Sequence, residues 1–318
     1  MSHKSATTRR TVLGAAAGLS LALALSACGG SPLAPESSAA GGGASGNDTP
    51  VVVGSANFPE NAIIAEIYAG ALNAAGVKAT TKLNIGAREV YIKAIEDGSV
   101  DVVPDYSGNL LGFVDTANTV TDPAGILAAL PDKLPSGLSV LDAAKAEDKD
   151  ALVVTSETAA KYGDLKSIED LAKVCGELTL GAPPEFKTRP YGLPGLEKIY
   201  NCVPKAFTPI SDGGGPLTVK ALLNNEIQVA DIFTTSPDIP ANKLVVLEDP
   251  KHNWLAQQVL PLVKTDRIDD AAKKALNGVS AQLTTDDLIS LRAEVEGTKK
   301  MEPAAAAAQW LKDKGISK

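Results

Sequence analysis

In SVDVVPDYSGNLLGF, residues 99–113, Tyr106 and Ser107 stand directly behind the apolar run Val100, Val102 and Val103. Such a run followed by Pro-Asp-x-x-Gly predicts a buried strand ending in a turn, the place where many α/β enzymes carry a nucleophile. A serine acts as a nucleophile only beside a base, and none accompanies this one: DYSGN lacks the Gly-x-Ser-x-Gly elbow of α/β-hydrolases. His3 lies in the leader, and His252, in EDPKHNW, has no neighbour at metal-ligand spacing. The glycine-rich SDGGGPLTVK (Ser211 to Lys220) lacks the Gly-Lys-Ser/Thr ending of a phosphate loop, so it predicts a tight turn ahead of a helix starting at Pro216. Asp148 and Asp150 have the chemistry for acid/base work and equally suit a solvated hinge. With no nucleophile-and-base pair, no catalytic residue, metal site or cofactor is expected.

Strand-like runs alternate with amphipathic helices around these residues: VVVGS, PENAIIAEIYAGALNAAG, TTKLNIG, AREVYIKAIEDGS and VDVVP. In the first helix Ile63, Ile64, Ile67, Tyr68, Ala71 and Leu72 recur at helical spacing, Pro59 suits the first turn and Gly76 the stop. This cadence is that of an α/β protein.

Shifted by 127 positions, KAIEDGSVDVVPDYS (Lys93 to Ser107) falls on KALLNNEIQVADIFT (Lys220 to Thr234), and the same shift places Gly54 on Gly181 and Gly86 on Gly213. One register over so long a stretch predicts two lobes of like construction. Interfaces between such lobes are where small ligands bind. Tyr106 and Phe233 would then hold equivalent strand ends facing one cleft, which makes the tyrosine a wall for a ligand.

The N-terminus has a basic start containing TTRRTVL, an apolar run from Val12 to Leu25 and then LSAC. The run is too short for a comfortable membrane span and suits a signal peptide. Leu25–Cys28 resembles a bacterial lipobox, which implies removal of residues 1–27 and lipid attachment at Cys28. Arg9-Arg10 also resembles a twin-arginine export signal, although ordinary signals carry paired basic residues too. Residues 28–50, rich in Gly, Ser, Ala and Pro, predict a flexible tether with a reach of about 25 Å. The expected location is therefore the extracytoplasmic face of the cell membrane, on a lipid anchor. Cys175 and Cys202 remain; export favours a disulfide between them, and the alternative is two buried small residues. Net charge is −8, and the excess is larger past Cys28, because Lys4, Arg9 and Arg10 precede it and no acid does. So acidic a body is repelled by phosphate backbones, which argues against nucleic acid as a partner.

Read together, GSANFPEN, GSVDVVPDYSGN, DALVVT, GAPPEFKTRPYGLPGL, VADIFTT and VLEDPKHNW followed by VLPLV resemble the substrate-binding lipoproteins of bacterial ABC importers for glycine betaine, choline and carnitine, over the whole chain from Val51. The resemblance implies a two-lobed periplasmic-binding-protein fold of type II with the ligand cleft between lobes, residues 51–149 and 236–318 in the first and 150–235 in the second. It implies a monomeric receptor that closes around a solute and delivers it to permease subunits with a cytoplasmic ATPase. In that family a quaternary ammonium sits among tyrosines while an arginine holds its carboxylate.

Carried over, Tyr106 matches a cage tyrosine, Arg189 the carboxylate-binding arginine, Asn109 a polar contact and Phe233 a cage ring without its hydroxyl. Asp150 and Gln257 stand where cage tyrosines are usual, and Ala56 replaces a lysine. The expected ligand-binding set is Asn57, Phe58, Tyr106, Asn109, Asp148, Asp150, Arg189, Phe233, Thr234 and Gln257, with Asn57 and Phe58 opening the first helix, whose free N–H groups suit an anionic group. The altered cage leaves open the same receptor fold for another amino-acid-like or aromatic solute, and a reading of another class is an exported hydrolase acting through Asp148 and Asp150.

Overall fold

The computed structural model describes residues 49–317. The expected signal peptide, Cys28 and all but the last two residues of the tether lie outside the described residues. The Thr49 and Pro50 carbonyls each accept from Arg267, at 3.3 Å.

The chain first builds β1 (Val51–Ala56), α1 (Pro59–Ala74), β2 (Ala79–Gly86), α2 (Arg88–Glu96), β3 (Val102–Tyr106), α3 (Ser107–Val114), α4 (Pro123–Lys133) and β4 (Leu138–Val140). It then crosses to β5 (Leu152–Val154), α5 (Ser156–Lys161), α6 (Ile168–Ala172), β6 (Thr179–Ala182), α7 (Leu193–Tyr200), β7 (Ala206–Pro209), α8 (Pro216–Leu223), β8 (Val229–Asp231), α9 (Asp238–Ala241) and β9 (Val245–Val246). It returns through β10 (Val259–Lys264) and ends in α10 (Asp270–Ser280), α11 (Thr285–Glu296) and α12 (Pro303–Asp313).

Two five-stranded sheets result, ordered β2-β1-β3-β10-β4 and β7-β6-β8-β5-β9. In each, the three strands taken in sequence pair in parallel and the strand beyond them runs antiparallel. The sheets are thus the same object built twice, and the 127-residue offset lays β1 on β6, β3 on β8 and α2 on α8. Its glycines mark a packing need shared by both copies. A Cβ on Gly54 would meet Ile85 Cδ1 at 2.7 Å and Val100 Cγ1 at 3.0 Å, and one on Gly181 would meet Ile227 Cδ1 at 2.4 Å, where Ile227 is the offset partner of Val100.

Helix α1 is apolar almost all round because it is enclosed. Ile63, Ile64, Ile67 and Leu72 have no exposed surface and share a core with the last three helices. A second core, of Ile92, Ile95, Leu110, Leu111, Ile126 and Leu130, covers the opposite face of that sheet. The second sheet likewise lies between two smaller apolar clusters. The Cys175–Cys202 disulfide, with Cα atoms 5.4 Å apart, ties the segment before β6 to the loop after α7.

Chain crossings between sheets run side by side. Ala146 O accepts from Val259 N at 3.0 Å and Gln257 O from Asp148 N at 3.2 Å; Lys149 O accepts from Thr234 N at 2.9 Å. The return crossing falls later than the expected boundary at 235/236: β9 pairs with Val153 and Val154 of the second sheet, so the chain rejoins the first sheet only at Val259.

Candidate functional site

Strands β3 and β8 end at equivalent points, and an α-helix N-terminus faces both. Tyr106 closes β3, Phe233 follows β8, and Phe58 is the residue before α1. The Phe58 ring centroid lies 6.0 Å from that of Tyr106 and 5.1 Å from that of Phe233, the latter edge-on. Gly213, at φ +61°, makes this approach possible, since a Cβ there would meet Phe58 Cβ at 2.6 Å. The glycine run is the tight turn expected ahead of α8: the Asp212 carboxylate accepts from Leu217 N at 2.6 Å and Thr218 N at 3.1 Å, closing the helix start at Pro216.

These three rings border a cavity between the sheets, with an empty volume of about 720 Å³ that includes its open mouth. Asn57, Asn109, Asp148, Asp150 and Arg189 of the expected set also line it. Thr234 and Gln257 do not. The Thr234 hydroxyl is held at the crossing, accepting from Lys149 N and facing Asp148. Gln257 is wholly buried behind Asn109; it donates to the Asn109 side chain at 2.6 Å and accepts from Asn109 N at 3.0 Å. It therefore orients Asn109, whose amide in turn donates to Asp150 at 2.9 Å. Gly108 is what lets this layer close, because a Cβ there would lie 2.5 Å from Ala256 O.

Sequence reading missed Arg88, Tyr91, Glu185, Tyr191 and Asp231, all of which line the cavity. Side chains alternate along extended backbone, so residues i and i+2 share a face. Asp148 with Asp150 and Asp231 with Phe233 are two such pairs, whereas Arg189 and Tyr191 meet the cavity from a turn closed by Gly192 N donating to Arg189 O at 2.9 Å. The rule, applied to Phe233, would have found Asp231.

Charge is unevenly settled. Arg88 is buried and paired with Asp105 at 2.7 Å, and the Tyr91 hydroxyl donates to the same carboxylate at 2.9 Å. Arg189 donates Nε and Nη2 to the two oxygens of Glu89, at 3.2 and 3.1 Å, and Nη1 to the Tyr191 hydroxyl at 2.7 Å. Burial opposes the charged form of Arg189; Tyr191 and Glu89 outweigh it and hold its pKa above the ordinary value. Both basic groups of the cavity are thus occupied. The acids are not. Burial pushes Asp148, Asp150 and Asp231 above the usual carboxylate range, with Glu60 adding to the effect at Asp148 and Asp150 at Asp231. Oδ1 of Asp231 is buried with no hydrogen-bond partner among the described residues. Beneath the rings the Tyr106 hydroxyl donates to Glu60 at 2.7 Å, and Arg292 reaches Glu60 through the Thr235 hydroxyl.

A cavity walled by rings and by carboxylates short of counter-charge is suited to a cation that cannot give up a proton. Among the described residues no cluster of three or more His, Cys, Asp or Glu is placed to hold a metal ion, and no helix is long and apolar enough to cross a membrane.

A family model described as the substrate binding domain of ABC-type glycine betaine transport systems matches residues 49–313. The glycine betaine-binding protein YehZ of Escherichia coli (strain K12) is 28% identical over 283 residues, covering 85% of this chain and 92% of its own length. The carnitine transport binding protein OpuCC of Listeria monocytogenes is 28% identical over 243 residues, covering 74% and 77%. A crystal structure described as a glycine betaine/carnitine/choline ABC transporter superposes with a TM-score of 0.65 at 24% identity, covering 84% of this chain and 99% of that one, a likeness of fold. The fold is the two-lobed periplasmic-binding-protein fold of type II. The chain belongs to the substrate-binding family of ABC-type glycine betaine transport systems, and is the solute receptor of such an importer.

Proposed function

We propose that this receptor takes up a small quaternary ammonium solute of the osmoprotectant class and delivers it unaltered to its permease. It works at the extracytoplasmic face of the membrane, exported by its leader and held by a lipid on Cys28. The observation that carries the ligand class is the grouping of Phe58, Tyr106 and Phe233 with Asp148, Asp150 and Asp231 around one cavity. Each ring under a cation contributes about 0.5 to 2 kcal/mol. A permanent cation also answers the buried carboxylates, which no lysine or unpaired arginine lining the cavity does.

Ligand contacts come from both lobes. Phe58, Tyr106 and Asn109 belong to the part of the chain that builds the first sheet, Asp231 and Phe233 to the part that builds the second. A ligand touching both lowers the energy of the closed form, which the permease then recognises.

Isothermal titration calorimetry of the chain from Cys28 onward, with glycine betaine, choline, carnitine and proline betaine, tests the reading. Heat of binding is expected from at least one of these compounds. Silence from all four would replace the ligand class with another solute while leaving the receptor role intact.

A further inference from the structure

The charges around the cavity are arithmetically unequal in what they leave for a ligand. Four carboxylates, those of Asp148, Asp150, Glu185 and Asp231, line it against two guanidinium groups. Arg88 is taken by Asp105, which has no exposed surface. Arg189 is taken by Glu89, which does not line the cavity: it stands in the first turn of α2, on the first lobe, and reaches across to the arginine of the second. Two parallel N–H···O bonds fix the guanidinium plane and use the edge with which it would grip a ligand carboxylate. The third nitrogen is used by Tyr191, and Glu185 adds a second acid 3.7 Å from Nη2. Glu89 itself sits below the ordinary carboxylate range, because the bonds and charge of Arg189 outweigh its partial burial.

We infer that Glu89 is a specificity-determining residue: by occupying Arg189 it removes the cavity's only basic group not committed to the interior of one lobe, and so selects solutes that carry a trimethylammonium head and no carboxylate. A zwitterion brings an anion to a wall where three buried acids face the guest and each guanidinium is already paired. A singly charged cation meets only the rings and the acids. The inference rests on the proposed ligand class and narrows it.

Choline and glycine betaine are the probes, since they share the head group and differ in a hydroxymethyl against a carboxylate. Titration calorimetry of the wild-type chain from Cys28 is expected to show choline binding at least about tenfold tighter than glycine betaine, a difference of about 1.4 kcal/mol. Glu89→Gln keeps the size and one acceptor of the side chain while removing its charge. It is expected to narrow the ratio by about tenfold or more, through tighter binding of glycine betaine. Because the Glu89–Arg189 pair also joins the lobes, the variant is free to weaken closure; that loss falls on both ligands alike, so the ratio is the readout. A second variant, Glu89→Lys, would place a positive charge at the same point and is expected to move the ratio further the same way. Heat from glycine betaine equal to or greater than that from choline in the wild type overturns the inference and leaves the ligand class standing. An unchanged ratio in both variants also overturns it and makes Glu89 a closing contact only. Heat from neither compound overturns the inference, and silence from carnitine and proline betaine as well removes the ligand class with it.

Discussion

The ends of β3 and β8 are the same place in two copies of one sheet, and they have been furnished differently. Pro104, Asp105 and Tyr106 on the first correspond at the 127-residue offset to Asp231, Ile232 and Phe233 on the second. In the first lobe the acid faces inward and is matched there by Arg88 and Tyr91. In the second the matching interior position is Ile232, fully buried beside Val219 and Leu222, and the acid has moved one residue along to the cavity wall. The backbone repeat fixes where a ring stands. Which neighbour carries charge decides whether that charge serves the fold or the guest.

The largest effect that would test this contrast comes from Asp105→Ala. Removing the carboxylate leaves Arg88 buried and unpaired, and urea unfolding is expected to show a loss of about 3 to 5 kcal/mol. Asp231→Asn, on the ligand-facing side of the comparison, is expected to leave stability unchanged or raised, because an acid that burial already disfavours is neutralised. Equal losses from both would erase the distinction between structural and ligand-facing acids.

The second lobe has shorter strands and the only disulfide among the described residues, closing a separation of 27 positions. Replacing Cys175 and Cys202 together by serine is expected to cost about 3 kcal/mol, seen as a lower thermal midpoint than that of the unreduced protein. A variant as stable as the parent would show that the smaller sheet does not depend on its staple.

The acids also set a pH dependence whose sign follows from their environment. Burial raises Asp148, Asp150 and Asp231, so each retains a proton in the empty receptor to a higher pH than in the unfolded chain. Their contribution to stability is full below the ordinary carboxylate value of about 4 and is lost as pH rises through the raised values. A bound trimethylammonium favours the ionised forms and must displace those protons. Affinity for choline is therefore expected to rise with pH across that window, by up to about tenfold per unit for each proton released, and then to level off. Calorimetry between pH 5 and 8 measures this, and an affinity that falls with pH would turn the carboxylates away from the ligand.

The smallest effects come from exchanging the rings. Phe233→Ala is expected to weaken choline by about 0.5 to 2 kcal/mol with little change in stability. Tyr106→Phe copies the second lobe's residue onto the first, keeping the ring while Glu60 loses the hydroxyl that donates to it. Stability is expected to fall by about 1 to 3 kcal/mol with choline affinity held within about threefold.

Much of this was legible beforehand. Apolar spacing marked α1, alternating strand and helix marked the α/β class, and the offset of 127 located both strand ends, because each of these is a local pattern repeated along the chain. Asp150 and Gln257 show where legibility stopped. Both stood in places where rings are usual, yet Asp150 reaches the cavity and Gln257 only orients Asn109 from behind. The difference depends on the crossing segments running side by side, over a separation of some hundred residues that no local spacing encodes.

Period and propensity, read along the chain, were enough for two like lobes with rings at the cleft between them, since backbone geometry turns sequence spacing into faces and ends, while the receptor role came from the resemblance of the motifs to a known family. The pairing of Arg189 with Glu89 is different in kind. The two residues lie a hundred positions apart on opposite lobes, and only their meeting in three dimensions cancels a charge that either segment alone would present to the guest.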